Sequence, residues 1–449
     1  MELIQKIFDA GVVGAGGAGF PTHLKLNCKV EYFIINGAEC EPLLETDKYL
    51  MRTKSFEMIK AIEEVGKQVE ADKLVLGLKR KYTKEIAQLQ SAIKALNSKV
   101  TLFLLDNFYP AGDEQILVYE ITERSIPEGG IPLDVGAVVS NIATLVNIFD
   151  AMAGKPVIEK YLTVAGEVKQ PCILKVPIGI SIGQCIEAAG GSTVQDFSVI
   201  IGGPMMGSII HQNQIKDEVV TKTVGALIIV PEDHYIVERK ETPIHYIIHR
   251  AKTCCIQCSM CTDLCPRNLI GHKLRPHRIM RSIGVAENNE EILKEALICC
   301  ECGVCELYAC PMGLSPKTIN GYLKKQFREK GIRYQKGQEK PTAQQIRAYR
   351  KIPVNRLISR LNLTQYKDCI VEGPFAVKTF KVNIPLSQHI GKPASPKVKV
   401  GDRVYKGQLV GEVPMGDLGA NVHASIDGRV CAISDSIVIQ SDENNEVIS

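Results

Sequence analysis

Apolar residues in the first 150 positions follow two alternating spacings. Short apolar runs alternate with longer stretches in which apolar positions recur every three to four residues. The first spacing is typical of buried strands and the second of amphipathic helices. The pattern predicts strands at 32–35, 74–78 and 100–105, with helices at 46–69 and 83–96 between them. This βαβαβ alternation favours a largely parallel sheet of the α/β class.

Beyond residue 150 the pattern changes along the chain. Strands at 161–168, 173–177 and from 199, with a helix at 182–189, predict a small β-rich module. Residues 312–365 are rich in Lys, Arg and Gln with helical spacing from Thr342 onward, and residues 378–449 show short strands with Gly and Asp turns. Because 449 residues exceed one hydrophobic core, we expect four domains. They are 1–150 (α/β), 151–235 (β-rich), 236–377 (a cysteine-rich α+β insert with a helical tail) and 378–449 (all β).

A glycine-rich loop follows the first helical pattern. Gly14, Gly16, Gly17 and Gly19 satisfy G-x-G-x-x-G, but the residues before them have helical spacing, whereas a Rossmann fingerprint follows a strand. Glycines let backbone N–H groups approach a flat or phosphorylated ligand closely. The loop is therefore either a ligand cradle or a purely structural turn.

Two cysteine runs dominate residues 254–311. The first has the spacing C-x2-C-x2-C-x3-C-P and the second C-x2-C-x2-C-x4-C-P. Two-cluster bacterial ferredoxins hold cubane iron–sulfur centres with such runs, and the fourth cysteine of each run binds the other cluster. We therefore expect two [4Fe–4S] clusters. The first is assigned to Cys255, Cys258, Cys261 and Cys310, and the second to Cys265, Cys299, Cys302 and Cys305.

Zinc sites and disulfides are the alternatives for these cysteines. Zinc ribbons pair C-x2-C units across a longer spacer, and disulfides need an oxidising compartment. The N-terminal residues do not resemble a secretion signal, so we expect a reducing cytoplasm. Cys254 and Cys300 lie off the spacing and are interpreted as spare thiols, with Cys300 an alternative to Cys299.

Charge and hydropathy exclude two classes of protein. The formal net charge of +4 is small for this length and does not indicate a nucleic-acid partner. No window of eighteen apolar residues occurs, so we expect no transmembrane segment. A basic run near the cysteines is either a solvated helix face or a docking surface for an acidic electron partner: Arg267, Lys273, Arg275, His277, Arg278 and Arg281.

Four motifs in order, GAGGAGFPTHLK, NGAECEP, AGDE and SNIATL, carry a resemblance. Residues 1–150 resemble the flavin-binding domain of the NADH-oxidising subunit of respiratory complex I. They are closer to the family that contains the Rnf complex C subunit and the cobalamin reductase of propanediol-using microcompartments. The resemblance implies that Phe20 and Glu41 flank the nicotinamide of NADH. It also implies an FMN site formed by Gly14, Gly16, Gly17, Gly19, Lys25, Asn36, Glu39, Gly112, Asp113, Glu114, Asn141 and Thr144.

The later segments resemble other domains of the same family. Residues 151–235 resemble a soluble-ligand-binding β-grasp (SLBB) domain, which either binds a ligand or serves as a packed spacer. Residues 378–449 resemble a biotinyl/lipoyl-like barrel-sandwich module, but the hairpin tip at 415–421 lacks the lysine that carries a swinging arm. We therefore expect interaction or packing from this module.

Together these resemblances imply an NADH-dependent oxidoreductase with FMN and two [4Fe–4S] clusters. Its implied acceptor is cobalamin or a redox partner protein. Its implied surroundings are the cytoplasm or a bacterial microcompartment, with a shell protein or an adenosyltransferase as partner. The alternatives are an Rnf-type C subunit that exchanges electrons between NADH and ferredoxin, and a non-catalytic electron wire in a microcompartment.

Overall fold

The computed structural model describes residues 2–283, 289–367, 369 and 371–442. In the first unit, Phe33, Ile34 and Ile35 are fully buried on both faces of a central strand. The strands of this unit are β1 Tyr32–Gly37, β2 Lys73–Lys79, β3 Thr101–Leu105, β4 Phe108–Tyr109 and β5 Ala137–Asn141. Its helices are α1 Glu2–Asp9, α2 Thr22–Lys25, α3 Thr46–Thr53, α4 Ser55–Gln68, α5 Thr83–Ala95, α6 Glu114–Thr122 and α7 Ile142–Met152.

The predicted parallel sheet is confirmed. Four strands pair in parallel in the order β3-β2-β1-β5. The chain builds outward from β1 through β2 to β3 and then returns to the other side of β1 with β5. The carboxyl ends of β1 and β5 therefore border a crevice, the usual ligand position in open α/β sheets.

The predicted helix at 46–69 is two helices. They meet at Lys54, whose φ of −121° and ψ of 23° interrupt the helical backbone. The motifs AGDE and SNIATL, which by themselves would be assigned to loops, begin α6 and α7. Asp113 and Asn141 are the N-caps of these two helices.

The second unit is a six-stranded sheet. Its elements are β6 Glu159–Gly166, β7 Cys172–Pro177, α8 Ile182–Ala188, β8 Phe197–Ile201, β9 Ser208–His211 and β10 Ala226–Pro231. The sixth strand, β12 Glu372–Ala376, comes from beyond the cysteine-rich insert and pairs with β7. The sheet order is Glu372–Ala376, β7, β6, β10, β8, β9. Strand β10 was not predicted, although its residues 226–230 are all buried.

The insert is mostly helical. Its elements are α9 Tyr235–Glu241, α10 Ile244–Cys254, α11 Met260–Asp263, α12 Pro266–Leu269, α13 Pro276–Ser282, α14 Glu290–Lys294, a π-helix Val304–Ala309, α15 Pro316–Glu329, β11 Ile352–Pro353 and α16 Val354–Arg360. The helical spacing from Thr342 yields only a 3₁₀ turn at Gln345–Tyr349 and α16, and the long helix is α15. The tail also contacts the first unit, because β11 pairs with β4 and Lys351 forms an ion pair with Glu120 at 3.1 Å.

The C-terminal module consists of two antiparallel sheets. Its strands are β13 Lys381–Pro385, β14 Ser395–Pro396, β15 Arg403–Val404, β16 Leu409–Glu412, β17 Val422–His423, β18 Gly428–Ile433 and β19 Ser436–Gln440. The sheet orders are β13-β19-β18-β15 and β14-β16-β17. The module packs against the first unit: the Ile390 amide donates to the Gly19 carbonyl at 3.1 Å, and Lys222 Nζ bridges the carbonyls of Gly11 and Asn421 at 2.7 Å each.

The helices of the described residues are too short or too polar to cross a bilayer.

Candidate functional site

A cavity of about 530 Å³ opens where β1 and β5 end. One wall is the glycine loop of residues 14–20, and another is formed by the N-terminal ends of α6 and α7. We call it the glycine-loop cavity. Nine of the predicted cofactor-binding residues line it: Gly14, Gly16, Phe20, Lys25, Asn36, Gly112, Glu114, Asn141 and Thr144.

The glycine loop is closed at its base and open at its tip. The Gly14 amide donates to the Phe20 carbonyl at 2.9 Å, and Gly17 and Gly19 adopt φ values of +127° and +67° that side chains rarely permit. The amides of residues 16, 17 and 18 are exposed and donate no hydrogen bond to any described residue. These amides are free to bind an anionic group such as a phosphate.

Ala15 fixes the loop to its surroundings through both of its backbone groups. Its amide donates to Thr144 Oγ1 at 2.9 Å, and its carbonyl accepts from Lys160 Nζ at 3.1 Å. Lys160 lies on β6 of the second unit and is buried, and burial lowers its pKa to about 8. The second unit therefore contributes a cation directly behind the glycine loop.

Two helix N-termini point positive dipole ends at the cavity. The Asp113 carboxylate caps α6 by accepting from the amides of Gln115 and Ile116 at 3.1 and 3.2 Å. Asn141 Oδ1 caps α7 by accepting from the Ala143 amide at 2.9 Å. Unpaired amides and the dipole of a helix N-terminus favour an anionic ligand. The local electrostatics thus match the free amides of the loop.

The other polar side chains of the wall hold loops in place. Asn36 Nδ2 donates to the Gly112 carbonyl at 2.8 Å, which joins the end of β1 to the loop before α6. Asn141 Nδ2 donates to Asp47 Oδ2 at 2.8 Å, and burial raises the pKa of Asp47 to about 6. At the mouth, Lys25 and Glu114 form an ion pair at 2.6 Å.

Five predicted residues lie off the cavity wall. The Glu41 carboxylate accepts hydrogen bonds from the amides of Met205 and Met206 at 2.9 and 3.0 Å, so it binds the second unit instead of facing the cavity. Burial raises the pKa of Glu39 to about 8, and its carboxylate accepts from the Glu41 amide at 3.1 Å. The residues concerned are Gly17, Gly19, Glu39, Glu41 and Asp113.

Several residues of the site were missed from the sequence. Ile131, Leu133 and Ile390 line the cavity, and the first two are 57% and 44% exposed at its mouth. The burial of Lys160 could have been predicted from the sequence, because strand alternation places it on the same face of β6 as the buried Leu162. A lysine on an apolar strand face requires a specific partner.

The cysteines lie around two small cavities. Cys255, Cys258, Cys261 and Cys310 line the first, which we call the first cysteine cavity. Cys265, Cys299, Cys302 and Cys305 line the second cysteine cavity, together with Cys300. This grouping agrees with the exchange of fourth cysteines that the spacing predicts, and the ligation of the clusters by these residues stays a prediction.

The extra residue of the second run is absorbed by backbone geometry. The first run passes through the α-helical turn α11, whereas the second passes through the π-helix Val304–Ala309, whose wider turn holds one more residue. Across the described ranges, no three His, Cys, Asp or Glu side chains are arranged to hold a single metal ion. The thiols instead surround two separate volumes.

Burial disfavours the thiolate form of these cysteines in the protein without clusters. Burial raises the pKa of Cys261 to about 12 and of Cys299 to about 11. Thiolates form at such positions when a cationic centre binds them. At the second cavity the Asn320 amide interacts with the Cys299 thiol, and neither of its polar atoms makes a hydrogen bond with a nitrogen or oxygen of the described residues. A group with sulfur acceptors would satisfy its N–H.

Two contacts join segment 109–113 of the first unit, which leads into the cavity wall at Gly112, to the cysteine-rich insert. Tyr109 Oη donates to the Cys302 carbonyl at 2.7 Å. Arg267 Nη2 donates to Asp113 Oδ2 at 3.0 Å and lies beside Cys300. A hydrogen bond with Cys302, followed by the nearby Arg267, lowers the pKa of Cys300 to about 7.

The first cysteine cavity lies toward the surface. Cys258 is exposed, whereas Cys265, Cys302 and Cys305 are buried. Two residues of the basic run form ion pairs, Arg267 with Asp113 and Arg275 with Glu295. Three other cations of the run are exposed. Those exposed cations are Lys273, Arg278 and Arg281.

Family models match four successive parts of the chain. They are the Nuo51 FMN-binding domain at 7–150, the SLBB domain at 161–208, a 4Fe-4S dicluster domain at 254–315 and the RnfC barrel sandwich hybrid domain at 375–448. The predicted multidomain fold is confirmed, as are FMN and two [4Fe–4S] clusters as cofactors. The free loop amides fit the FMN phosphate, and the two cysteine groups fit the clusters.

Known proteins resemble the chain over most of its length. It is 42% identical to "Cobalamin reductase PduS" of Salmonella typhimurium across 97% of this chain and 96% of that protein, and equally identical to the Citrobacter freundii protein of the same name. It is 34% identical to the C subunit of the proton-translocating ferredoxin:NAD(+) oxidoreductase complex of Clostridium ljungdahlii, across 60% of this chain and 56% of that one. A chain of the NAD+-reducing [NiFe]-hydrogenase structure in the air-oxidized state aligns with a TM-score of 0.49 at 21% identity, across 81% of this chain and 66% of that one. At 42% identity over nearly its whole length, the chain is an oxidoreductase that belongs to the cobalamin reductase PduS family.

Proposed function

We propose that this oxidoreductase accepts electrons from NADH at the glycine-loop cavity and delivers them through the two cysteine cavities to cobalamin. The observation that carries the proposal is the pair of contacts, Tyr109 to Cys302 and Asp113 to Arg267, that joins the first unit to the cysteine-rich insert on either side of Gly112, a residue of the cavity wall. When bound, FMN exchanges a hydride for single electrons and each cubane carries one electron. The protein supplies binding, orientation and exclusion of water.

The glycine loop and the two helix N-termini would hold the flavin. The free amides of residues 16–18 would donate to its phosphate, with the N-termini of α6 and α7 adding favourable dipoles. Thr144 and Lys160 keep the loop in position through Ala15. Gly16 lets the loop lie close to the N-cap of α7, since a Cβ on Gly16 would come within 3.1 Å of Asn141 Cγ.

The mouth of the cavity would orient the nicotinamide. Phe20 lies on the wall, and the exposed side chains of Ile131 and Leu133 form an apolar rim. Hydride transfer requires stacked rings within contact distance and little water, which apolar walls provide. The Glu41 carboxylate accepts hydrogen bonds from the amides of Met205 and Met206, and it would therefore hold that loop of the second unit in place.

The cysteine assignment places the two clusters in series. Cys265, Cys299, Cys302 and Cys305 would hold the cluster next to the flavin, and Cys255, Cys258, Cys261 and Cys310 the cluster next to solvent. Electrons would enter through the buried cluster and leave through the exposed one. A cofactor chain of this kind separates the two electrons of a hydride before they reach the acceptor.

The acceptor is proposed as cobalamin because the two relatives aligned over nearly the whole chain are named cobalamin reductases. The relatives named as Rnf-type subunits align over 60% of this chain, which favours the first assignment over a ferredoxin-linked one. A microcompartment location, with a shell protein or an adenosyltransferase as partner, is a further proposal that depends on the resemblance in sequence.

Anaerobic turnover with a panel of acceptors tests the proposal. Protein loaded with FMN and iron–sulfur clusters is mixed with NADH and, in separate reactions, with hydroxocobalamin, a bacterial ferredoxin or methyl viologen. We expect cobalamin reduction that requires NADH and that is lost in Cys265→Ala. Rapid ferredoxin reduction without cobalamin reduction would support the Rnf-type alternative, and a flavin that NADH does not bleach would support the electron wire.

A further inference from the structure

The second cysteine cavity contains a buried amide beside the Cys299 thiol. Asn320 lies on α15, is 0% exposed and lines this cavity beside Cys299. Neither its Nδ2 nor its Oδ1 makes a hydrogen bond with a nitrogen or oxygen of the described residues, and the amide interacts with the Cys299 sulfur. A buried amide left unsatisfied destabilises the fold, so the group that satisfies its N–H is expected inside the cavity.

The chemistry of the cavity defines that group. Four cysteines share the wall with Asn320, and the sulfurs of an iron–sulfur cluster accept hydrogen bonds from N–H donors. Such bonds stabilise the more negative, reduced form of the cluster and raise its reduction potential. A leucine of nearly the same shape would fill the position equally well but could not donate.

The first cysteine cavity has a donor of the same kind in a different place. Gln257 Nε2 donates to Cys255 Sγ at 3.0 Å. Each cavity therefore has one side-chain amide directed at its sulfur ligands. The two amides belong to different elements, since Gln257 lies within the first cysteine run and Asn320 on the helix after the second.

We propose that the Asn320 amide donates to a sulfur of the second cluster and raises its reduction potential, as Gln257 does at the first cluster. Asn320 acts as a positioning residue that tunes electron entry, because the second cluster is the one next to the flavin. The inference depends on the proposed assignment of Cys265, Cys299, Cys302 and Cys305 to that cluster.

Potentiometric titration followed by EPR tests this inference on the holoprotein. The unchanged protein, Asn320→Leu and Gln257→Leu are reduced stepwise under nitrogen, after iron, sulfide and FMN have been measured in each. We expect two one-electron cluster steps in the unchanged protein. Asn320→Leu should move one step to more negative potential, and Gln257→Leu should move the other.

The outcomes separate this inference from the proposed function. If both clusters are present and Asn320→Leu moves neither step, or moves the same step as Gln257→Leu, the inference is wrong while the proposed function stands. If Asn320→Leu fails to retain iron, Asn320→Ala decides, because it removes the side-chain N–H without adding a charge beside the cluster; an unshifted step there overturns the inference. An unchanged protein without clusters would instead overturn the proposed function.

Discussion

Replacing Tyr109 by phenylalanine removes the hydroxyl that joins the first unit to the second cysteine run. Tyr109 is 2% exposed, and its hydroxyl donates to the Cys302 carbonyl at 2.7 Å. In Tyr109→Phe this buried carbonyl loses its donor, at a cost of about 1–3 kcal/mol. Because about 1.4 kcal/mol is a factor of ten, the equilibrium that holds the cluster loop in place should weaken roughly five- to 140-fold.

The assay is anaerobic guanidinium titration with three readouts. Cluster absorbance reports the loss of iron–sulfur centres, EPR of the reduced samples shows which of the two clusters is lost, and far-UV circular dichroism reports the fold as a whole. Tyr82→Phe is the matched control, because Tyr82 is 5% exposed and its hydroxyl donates to the Glu39 carbonyl at 2.8 Å within the first unit. Tyr109→Phe should lose cluster absorbance at a lower guanidinium concentration, whereas Tyr82→Phe should lose it at the wild-type concentration.

Two results would refute this reasoning. Retention of the cluster in Tyr109→Phe up to the same guanidinium concentration as in the unchanged protein would mean that the hydroxyl contributes nothing to the loop. A shift of cluster loss by the same amount in Tyr82→Phe would attribute the effect to general destabilisation.

Three further predictions follow from other buried groups. Lys160→Met removes the charged hydrogen bond to the Ala15 carbonyl, and a bond of this kind contributes about 1.5–3 kcal/mol. FMN should therefore bind at least tenfold more weakly in a fluorescence titration. Equal affinity would contradict the role of Lys160 behind the loop. Burial lowers the pKa of Lys222 from 10.5 to about 7. Between these two pH values the unfolded chain therefore binds one more proton at Lys222 than the folded chain does. As a result, the free energy of unfolding rises with pH by roughly 1.4 kcal/mol per pH unit. Lys222→Met should lack this rise between pH 7 and 9, and parallel pH profiles for variant and wild type would refute it. Cys265→Ala should damage the second cluster before the first in EPR, and loss of the first cluster alone would contradict the exchange of fourth cysteines.

Local spacing was enough to predict much of the fold. The apolar runs of β1, β2 and β3 lie between helices of clear period, so the parallel sheet followed directly. The break at Lys54 was not predictable, because two helices of similar period adjoin there with a single residue between them. Strand β5 was missed because its polar end, Ser140 and Asn141, is typical of a loop, although Asn141 before an apolar run is a helix start signal.

Some parts of the candidate site could likewise be predicted from the sequence, and others could not. The glycine loop and the cysteine runs are defined by residues close in sequence, so their positions could be predicted from spacing. The contacts of Glu41 with Met205 and of Lys160 with Ala15 join residues 164 and 145 positions apart, and no spacing rule contains such pairs. The resemblance placed Glu41 at the nicotinamide, and in the structure its carboxylate accepts two hydrogen bonds from amides of the second unit.

Electron exchange between flavin and clusters within one chain is tested most directly by an absorbance spectrum. Anaerobically purified protein, loaded with FMN and clusters, is measured before and after one equivalent of NADH. We expect the flavin bands and the broad cluster absorbance both to decrease, because the two cofactors exchange electrons. Bleaching of the flavin with the cluster absorbance unchanged would contradict this exchange, as would an iron and sulfide content near zero.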